Sequence, residues 1–252
     1  MLELGLDPAK KLGYIPEYYL RKLQIREYRI PNNIISIGDY AFENCQKLTS
    51  IVIPDNVTSI SDGAFYCCES LTNIELPNSL TSISAGTFEY CRSLKSIEIP
   101  SSVTSIGTEA FYDCESLTNV KIPDSVTSIG DSAFSFCSSL TNITLPENVK
   151  SIDSSTFYTC HSLTNIRIPN NVTSIGEWAF AYCYKLTSIE IPSSVISIGN
   201  YAFVDCISLK EIKYLGTKKE AIHSRIGDKS NKQWRNNSAI SKIICTDGII
   251  DL

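Results

Sequence analysis

The sequence has 252 residues, 43% of them hydrophobic and 19% charged, the balance of a folded chain. No run approaches the roughly 18 consecutive apolar residues that span a membrane, so membrane insertion is not expected. The net charge of −5 is uneven: residues 1–29 carry 6 basic and 4 acidic side chains, 214–252 carry 7 and 4, and 30–213 carry 9 and 19. An acidic body with mildly basic ends lacks the Lys/Arg footprint that holds nucleic acid, so none is expected as a partner.

The opening residues, Met1 to Tyr19, lack a basic segment followed by an apolar one, so no export signal is expected in the chain as written. That leaves the compartment open. Residues 1–29 are expected to form a degenerate ninth copy of the repeat described next, capping the first open end of a stacked array. Leu12, Tyr14, Ile15, Tyr19 and Leu20 supply apolar bulk, and Glu17–Leu23 predicts a short helix. Ile25, Tyr28 and Ile30 fall on the spacing of a first strand.

From Ile30 a 23-residue unit repeats without insertion or deletion, beginning again at Ile53, Leu76, Ile99, Ile122, Leu145, Ile168 and Ile191. Eight copies at a fixed period are the signature of a solenoid, so residues 30–213 are expected to share one cooperative core. Across each boundary an apolar, a variable and an apolar residue follow one another, as in Ile51-Val52-Ile53, the period of a half-buried strand. Proline comes next in every copy, from Pro31 to Pro192. It has no N–H to give a ladder, so it ends the strand and turns the chain.

Val57–Ile60 predicts a second, brief strand on the adjoining side, closed by glycine or a small polar residue such as Gly38, Ser61 or Gly107. Ala64, Phe65, Cys68 and Leu71 then step by one, three and three, which suits a single turn of 3₁₀ or α-helix. No copy closes its core alone. Stacking at about 4.8 Å per strand predicts a body roughly 40 Å long.

After Lys213 the pattern dissolves into an expected C-terminal cap, 214–252. Thr217 to Glu220 has the spacing of a capping box and predicts a helix over Ala221 and Ile222. Gly227 to Asn237 predicts a polar loop around Trp234, and Ile240–Ile244 with Cys245 predicts a strand sealing the far end.

The recurring pattern LxxIxIPxxVxSIxxxAFxxC resembles the BspA-like, or Treponema-type, class of leucine-rich repeats, in all eight copies. Tyr214–Thr217 and Ile243–Gly248 are similar to the closing segment of that class. The resemblance implies a right-handed leucine-rich-repeat solenoid, with a parallel β-sheet on its concave face and short 3₁₀ or α turns opposite. It also implies protein recognition and, in surface-exposed members, adhesion to host proteins or other cells.

Eight of the ten cysteines, from Cys45 to Cys206, occupy one column of the repeat. Stacked side chains run parallel at about 4.8 Å, whereas a disulfide wants Cβ atoms near 3.8 Å, so a buried ladder of free thiols is expected as small apolar filler. A linear ladder offers no converging tetrahedral set, so no metal is expected. Cys67, one place off the column, is expected to point outward as the one cysteine of the array with any, and only weak, reactivity. His161 and His223 have no nucleophile at a recognisable spacing and there is no glycine-rich phosphate loop, so neither catalysis nor a cofactor is expected.

Two surfaces remain for recognition. The outward strand positions form a stripe of Asn73, Glu75, Glu98, Asn119, Lys121, Asn142, Thr144, Asn165, Arg167, Glu190, Glu211 and Lys213. Mixed charge and asparagine at fixed spacing suit a protein partner, and equally a solvated sheet face. The other surface is Tyr66, Tyr90, Tyr112, Phe136, Tyr158, Tyr182 and Tyr184 beside the turns, which either pack on one another or present a contact patch. The expected function is a non-enzymatic, monomeric protein-binding module reading an unidentified protein through the concave stripe. The alternative is a structural or display element of a larger surface or virion assembly.

Overall fold

In the computed structural model, which describes residues 12–22, 24–224, 226 and 233–252, each copy makes one coil and lies against the next. The alternation at the end of each copy behaves as a half-buried strand must. Ile51, Ile97, Val120, Ile166 and Ile189 point inward, 4% exposed or less, while Val52, Glu98, Lys121, Arg167 and Glu190 face out. Glu27–Arg29 pairs in parallel with Ser50–Val52, and Ser96–Glu98 with Asn119–Lys121. Asn165–Arg167 pairs with Ser188–Ile191, which pairs with Glu211–Tyr214.

A second parallel ladder uses the Ser-Ile pair of every copy. It runs in three pieces: Tyr14–Ile15 through Ser36–Ile37 to Ser59–Ile60, Ser82–Ile83 through Ser105–Ile106 to Ser128–Ile129, and Ser151–Ile152 through Ser174–Ile175 to Ser197–Ile198.

The third side departs from the predicted helical turn. Cys45 N–H donates to Phe42 O at 3.1 Å and Leu48 N–H to Cys45 O at 3.0 Å, the i to i+3 bonds that steps of three suggest. These turns never join into a helix. Each copy holds two left-handed residues four apart, such as Tyr40 and Asn44 at φ 52° and 56°, or Trp178 and Tyr182 at 59° and 60°. Between them, alternate amides turn outward to the following coil: Phe42 N–H donates to Ala64 O and Asn44 N–H to Tyr66 O, both at 2.8 Å.

A left-handed residue with a side chain costs roughly 1–2 kcal/mol. Of the 16 such positions in the copies, only Gly63 and Gly86 are glycine. The inter-coil bonds, which a self-bonded helix would not make, offset that cost. Glu17–Lys22 repeats the device with Tyr18 and Lys22 left-handed, so it is a turn and not the expected helix; Leu23 lies outside the described residues.

Two ladders fill the core behind the turns. The rings from Phe42 to Phe203 stack with centroids 5.1–5.8 Å apart and planes within 15° of parallel. Beside them the column cysteines are buried and free, as expected, but are more than filler. From Cys68 on, each thiol donates to the phenylalanine carbonyl one coil back, as Cys68 Sγ to Phe42 O at 3.2 Å and Cys206 Sγ to Phe180 O at 3.1 Å, and Cys45 Sγ donates to Leu20 O at 3.0 Å. A small apolar residue without the S–H would leave that bond unmade.

At the far end Thr217 caps the helix Lys218–His223 with both bonds of the predicted capping box, Glu220 N–H to Thr217 Oγ1 at 3.3 Å and Thr217 N–H to Glu220 Oε2 at 2.7 Å. Residues 227–232 of the expected loop lie outside the described residues, and Gln233–Arg235 is a short 3₁₀ turn that buries Trp234. Lys242–Cys245 extends the strand ladder beyond Glu211–Tyr214, and Gly248–Asp251 closes it antiparallel.

Candidate functional site

The two-residue period carries the stripe out of the core, and the register of the coils decides which of its members meet. Asn73, Glu75, Glu98, Asn119, Lys121, Asn142, Thr144, Asn165, Arg167, Glu190 and Lys213 are exposed, and Glu211 is half-buried. Register sets Glu98 opposite Lys121, whose Nζ lies 2.7 Å from Glu98 Oε1. This contact holds the Glu98 carboxyl below and the Lys121 ammonium above their usual ranges. Lys213 pairs in the same way with Glu190, and Lys242 Nζ with Glu211 Oε2 at 2.9 Å.

Arg167 instead reaches Glu147, in the turn after Pro146, and lowers the Glu147 carboxyl through that hydrogen bond. Glu75 makes no ion pair among the described residues. Asn73, Asn142 and Asn165 lean on an adjacent threonine: Asn165 Nδ2 donates to Thr164 Oγ1 at 3.2 Å, Asn142 Nδ2 to Thr141 Oγ1 at 3.4 Å, and Thr72 Oγ1 to Asn73 Oδ1 at 3.3 Å. Thr164 Oγ1 is itself held by Thr141 O one coil back, at 3.2 Å. Glu75, Glu98 and Lys121, with Asn78 and Ser101, line a hollow of about 540 Å³.

Glu147 and Lys242 belong to this face, although the strand period alone does not find them. Glu147 sits in a polar turn position, 20 residues before Arg167, off the repeat spacing. Lys242 comes from the cap strand. The only sequence signal for it was the apolar run that predicted that strand.

The aromatic residues of the flank form one continuous zigzag. Tyr66, Tyr90, Tyr112, Phe136, Tyr158 and Tyr182 alternate between two adjacent positions in successive coils, with neighbouring centroids 5.2–5.6 Å apart, and Tyr40, three places earlier in its own copy, joins Tyr66 at 6.1 Å. Mostly edge-on and half-buried, they pack chiefly on one another. Tyr184, 38% exposed, lies flat on His161 at 4.6 Å, and burial lowers the pKa of that histidine. In the same flank Glu89 is pushed up to about 7, first by burial and then by Glu109 and Asp113.

Cys67 is half-buried, and burial, then Glu69, raise its thiol; the expected reactive cysteine is therefore a poor nucleophile at neutral pH. Burial likewise raises the column thiols, Cys206 to about 12. A thiol reagent is expected to modify at most about two cysteines of the native protein and all ten after unfolding. Several disulfides in the mass spectrum of the native protein would show the ladder to be something else. Among the described residues no three His, Cys, Asp or Glu side chains converge where a metal ion could sit.

The chain matches the family model of the BspA type leucine-rich repeat region, six copies long, over residues 13–139 and 104–232. The crystal structure of a leucine-rich repeat protein from Bacteroides ovatus shares 29% identity, covering 89% of this chain and 64% of its own, with a TM-score of 0.73. The chain thus spans under two thirds of that structure. The leucine-rich repeat protein of T. pallidum shares 26%, covering 86% of this chain and 87% of its own, with a TM-score of 0.62. No match is found among curated proteins. Parallel-stranded coils of this kind are what the repeat pattern implied.

Proposed function

The chain belongs to the BspA type leucine-rich repeat family, and from that premise we propose a non-enzymatic protein-binding module that reads its partner through the strand face. One observation carries the reading. The buried columns are nearly invariant from copy to copy, while the exposed stripe changes at every step but one, from Glu75 and Glu98 to Lys121, Thr144, Arg167, Glu190 and Lys213. Only the step from Glu75 to Glu98 keeps its residue, and a scaffold that holds its core constant while varying one exposed row carries its information in that row. Adhesion to host proteins or other cells is the setting the family suggests for it.

The test uses the purified chain to capture surface proteins, followed by titration of whatever is retained. Lys121→Glu combined with Arg167→Glu should weaken a specific partner at least about ten-fold while leaving the far-UV circular dichroism unchanged. A partner indifferent to that reversal binds elsewhere. The cross-coil ion pairs of Glu98 with Lys121 and Glu190 with Lys213 favour a second reading, since a solvated face would satisfy its charges in the same way. That reading, a spacer or display element, predicts no saturable partner.

A further inference from the structure

The coils do not meet with equal numbers of backbone bonds at every junction. At an ordinary junction the sixth residue of a copy donates to the sixth residue one coil back, and the ninth donates to the preceding Ser-Ile pair. Thr104 N–H reaches Thr81 O at 2.9 Å and Gly107 N–H reaches Ile83 O at 2.8 Å; Thr173 and Gly176 do the same to Lys150 and Ile152 at 2.9 and 2.7 Å. Among the described residues, the equivalent amides of the third and sixth copies, Thr81 with Ser84 and Lys150 with Asp153, make no such bond.

The strand ladder breaks at the same places, and once more between Asn73–Glu75 and Ser96–Glu98, where the Ser-Ile ladder is continuous. Asn73–Glu75 pairs with neither Ser50–Val52 nor Ser96–Glu98, and Asn119–Lys121 has no partner strand on the Asn142–Thr144 side. Two ladders on different faces that break together point to the coils themselves. The turn side stays closed across both places: Phe65 N–H donates to Thr87 O at 2.9 Å and Phe134 N–H to Thr156 O at 3.0 Å.

The sequence marks both junctions. The third and sixth copies begin with Leu76 and Leu145 where the others begin with isoleucine. They also carry Thr87 and Thr156 where the others carry alanine, and each buried threonine donates Oγ1 to the ninth-position carbonyl, Ser84 O or Asp153 O, at 2.8 Å. At ordinary junctions that ninth residue is usually glycine, because the coils are close: a Cβ on Gly107 would lie 2.6 Å from Ala85 N. Ser84 and Asp153 have a Cβ to place. Ser61 has one too and keeps its bond to Ile37 O at 3.0 Å, so a side chain alone does not open the junction. The leucine and threonine accompany it where the junction is open.

We propose that the array consists of three blocks of coils, joined at two seams that open on the strand side and pivot on the turn side. The unpaired N–H and C=O groups of the exposed strand face are hydrated, so opening there breaks few bonds. What bridges the first seam on that side is one backbone bond, Thr72 N–H to Thr49 O at 3.2 Å, and side chains: Ser79 Oγ to Asp55 O at 2.8 Å and Ser84 Oγ to Ile60 O at 2.7 Å. Flexing at the seams changes the curvature of the strand face while the phenylalanine stack behind the pivot stays continuous.

Native-state amide exchange of the full chain, resolved by NMR, tests this with the other copies as internal controls. Thr81, Ser84, Lys150 and Asp153 should exchange at least about ten-fold faster than Thr104, Gly107, Thr173 and Gly176. Phe65 and Phe134, whose amides cross the seams on the turn side, should be as protected as Phe88 and Phe111. Equal protection at the two first sets would remove the seams, and Phe65 exchanging as fast as Thr81 would remove the pivot. Leu76→Ile with Ser84→Gly and Thr87→Ala should slow Thr81 to the rate of Thr104 and leave Lys150 fast. A Thr81 amide that stays fast in that variant overturns the assignment of the seam to these residues.

Discussion

Replacing Phe111 with alanine is expected to lower the unfolding free energy by about 3–5 kcal/mol, read as a fall in the urea midpoint. The ring is fully buried between Phe88 at 5.4 Å and Phe134 at 5.2 Å. Removing it leaves a gap that its neighbours cannot fill by sliding along the stack. Each is tethered to the following coil, Phe88 N–H to Ala110 O at 2.9 Å and Phe134 N–H to Thr156 O at 3.0 Å.

In a one-dimensional array the loss also weakens the coupling of the coils on either side. The transition should therefore broaden as well as shift. Tyr112→Ala, which removes a half-buried ring from the flank, provides the contrast and should cost clearly less. A loss below about 1 kcal/mol at Phe111 would mean that the stack relaxes and contributes little.

Most of the fold was legible because the repeat prints each structural position eight times. Ile or Leu before the proline of every copy, and Phe and Cys three apart, identify inward columns by recurrence, and the buried set includes all of them except Leu76, which is half-buried. The left-handed turn was not legible. Trp178, Tyr201, Glu109 and Ser132 all adopt φ between 55° and 59°, and none of these residue types announces it. What sustains that backbone is a set of bonds to the next coil, which exist only once the coils are stacked.

The cysteines show the same division. Burial could be read from the column, whereas donation to the preceding phenylalanine carbonyl depends on the spacing of two coils. On the strand face, exposure followed from the period of two, and the pair Glu98–Lys121 follows from the 23-residue register. Glu147–Arg167 does not, because it joins a turn to a strand off that register. The leucines at 76 and 145 were in plain view, but only the missing backbone bonds beside them give the substitution a meaning.

Trp234→Ala is expected to cost a further about 3–5 kcal/mol, by uncapping the end of the phenylalanine stack. The indole is fully buried and stands edge-on to Phe203 with centroids 6.0 Å apart, taking the place of a ninth ring. Its backbone carbonyl accepts the Phe203 N–H at 2.7 Å, the bond that the next coil would otherwise provide. Among the described residues the indole Nε1 has no hydrogen-bond partner. A buried donor left unpaired costs about 1–3 kcal/mol, so Trp234→Phe removes that penalty while giving up part of the volume. The phenylalanine variant should therefore lie much closer to the wild type than the alanine variant in urea melts. The Phe203 amide should lose hydrogen-exchange protection in the alanine variant while Phe88, five coils away along the stack, keeps its own. If phenylalanine and alanine at 234 are equally destabilising, the indole is held by something other than its fit against Phe203, and the closure of this end must be assigned to the helix and hairpin instead.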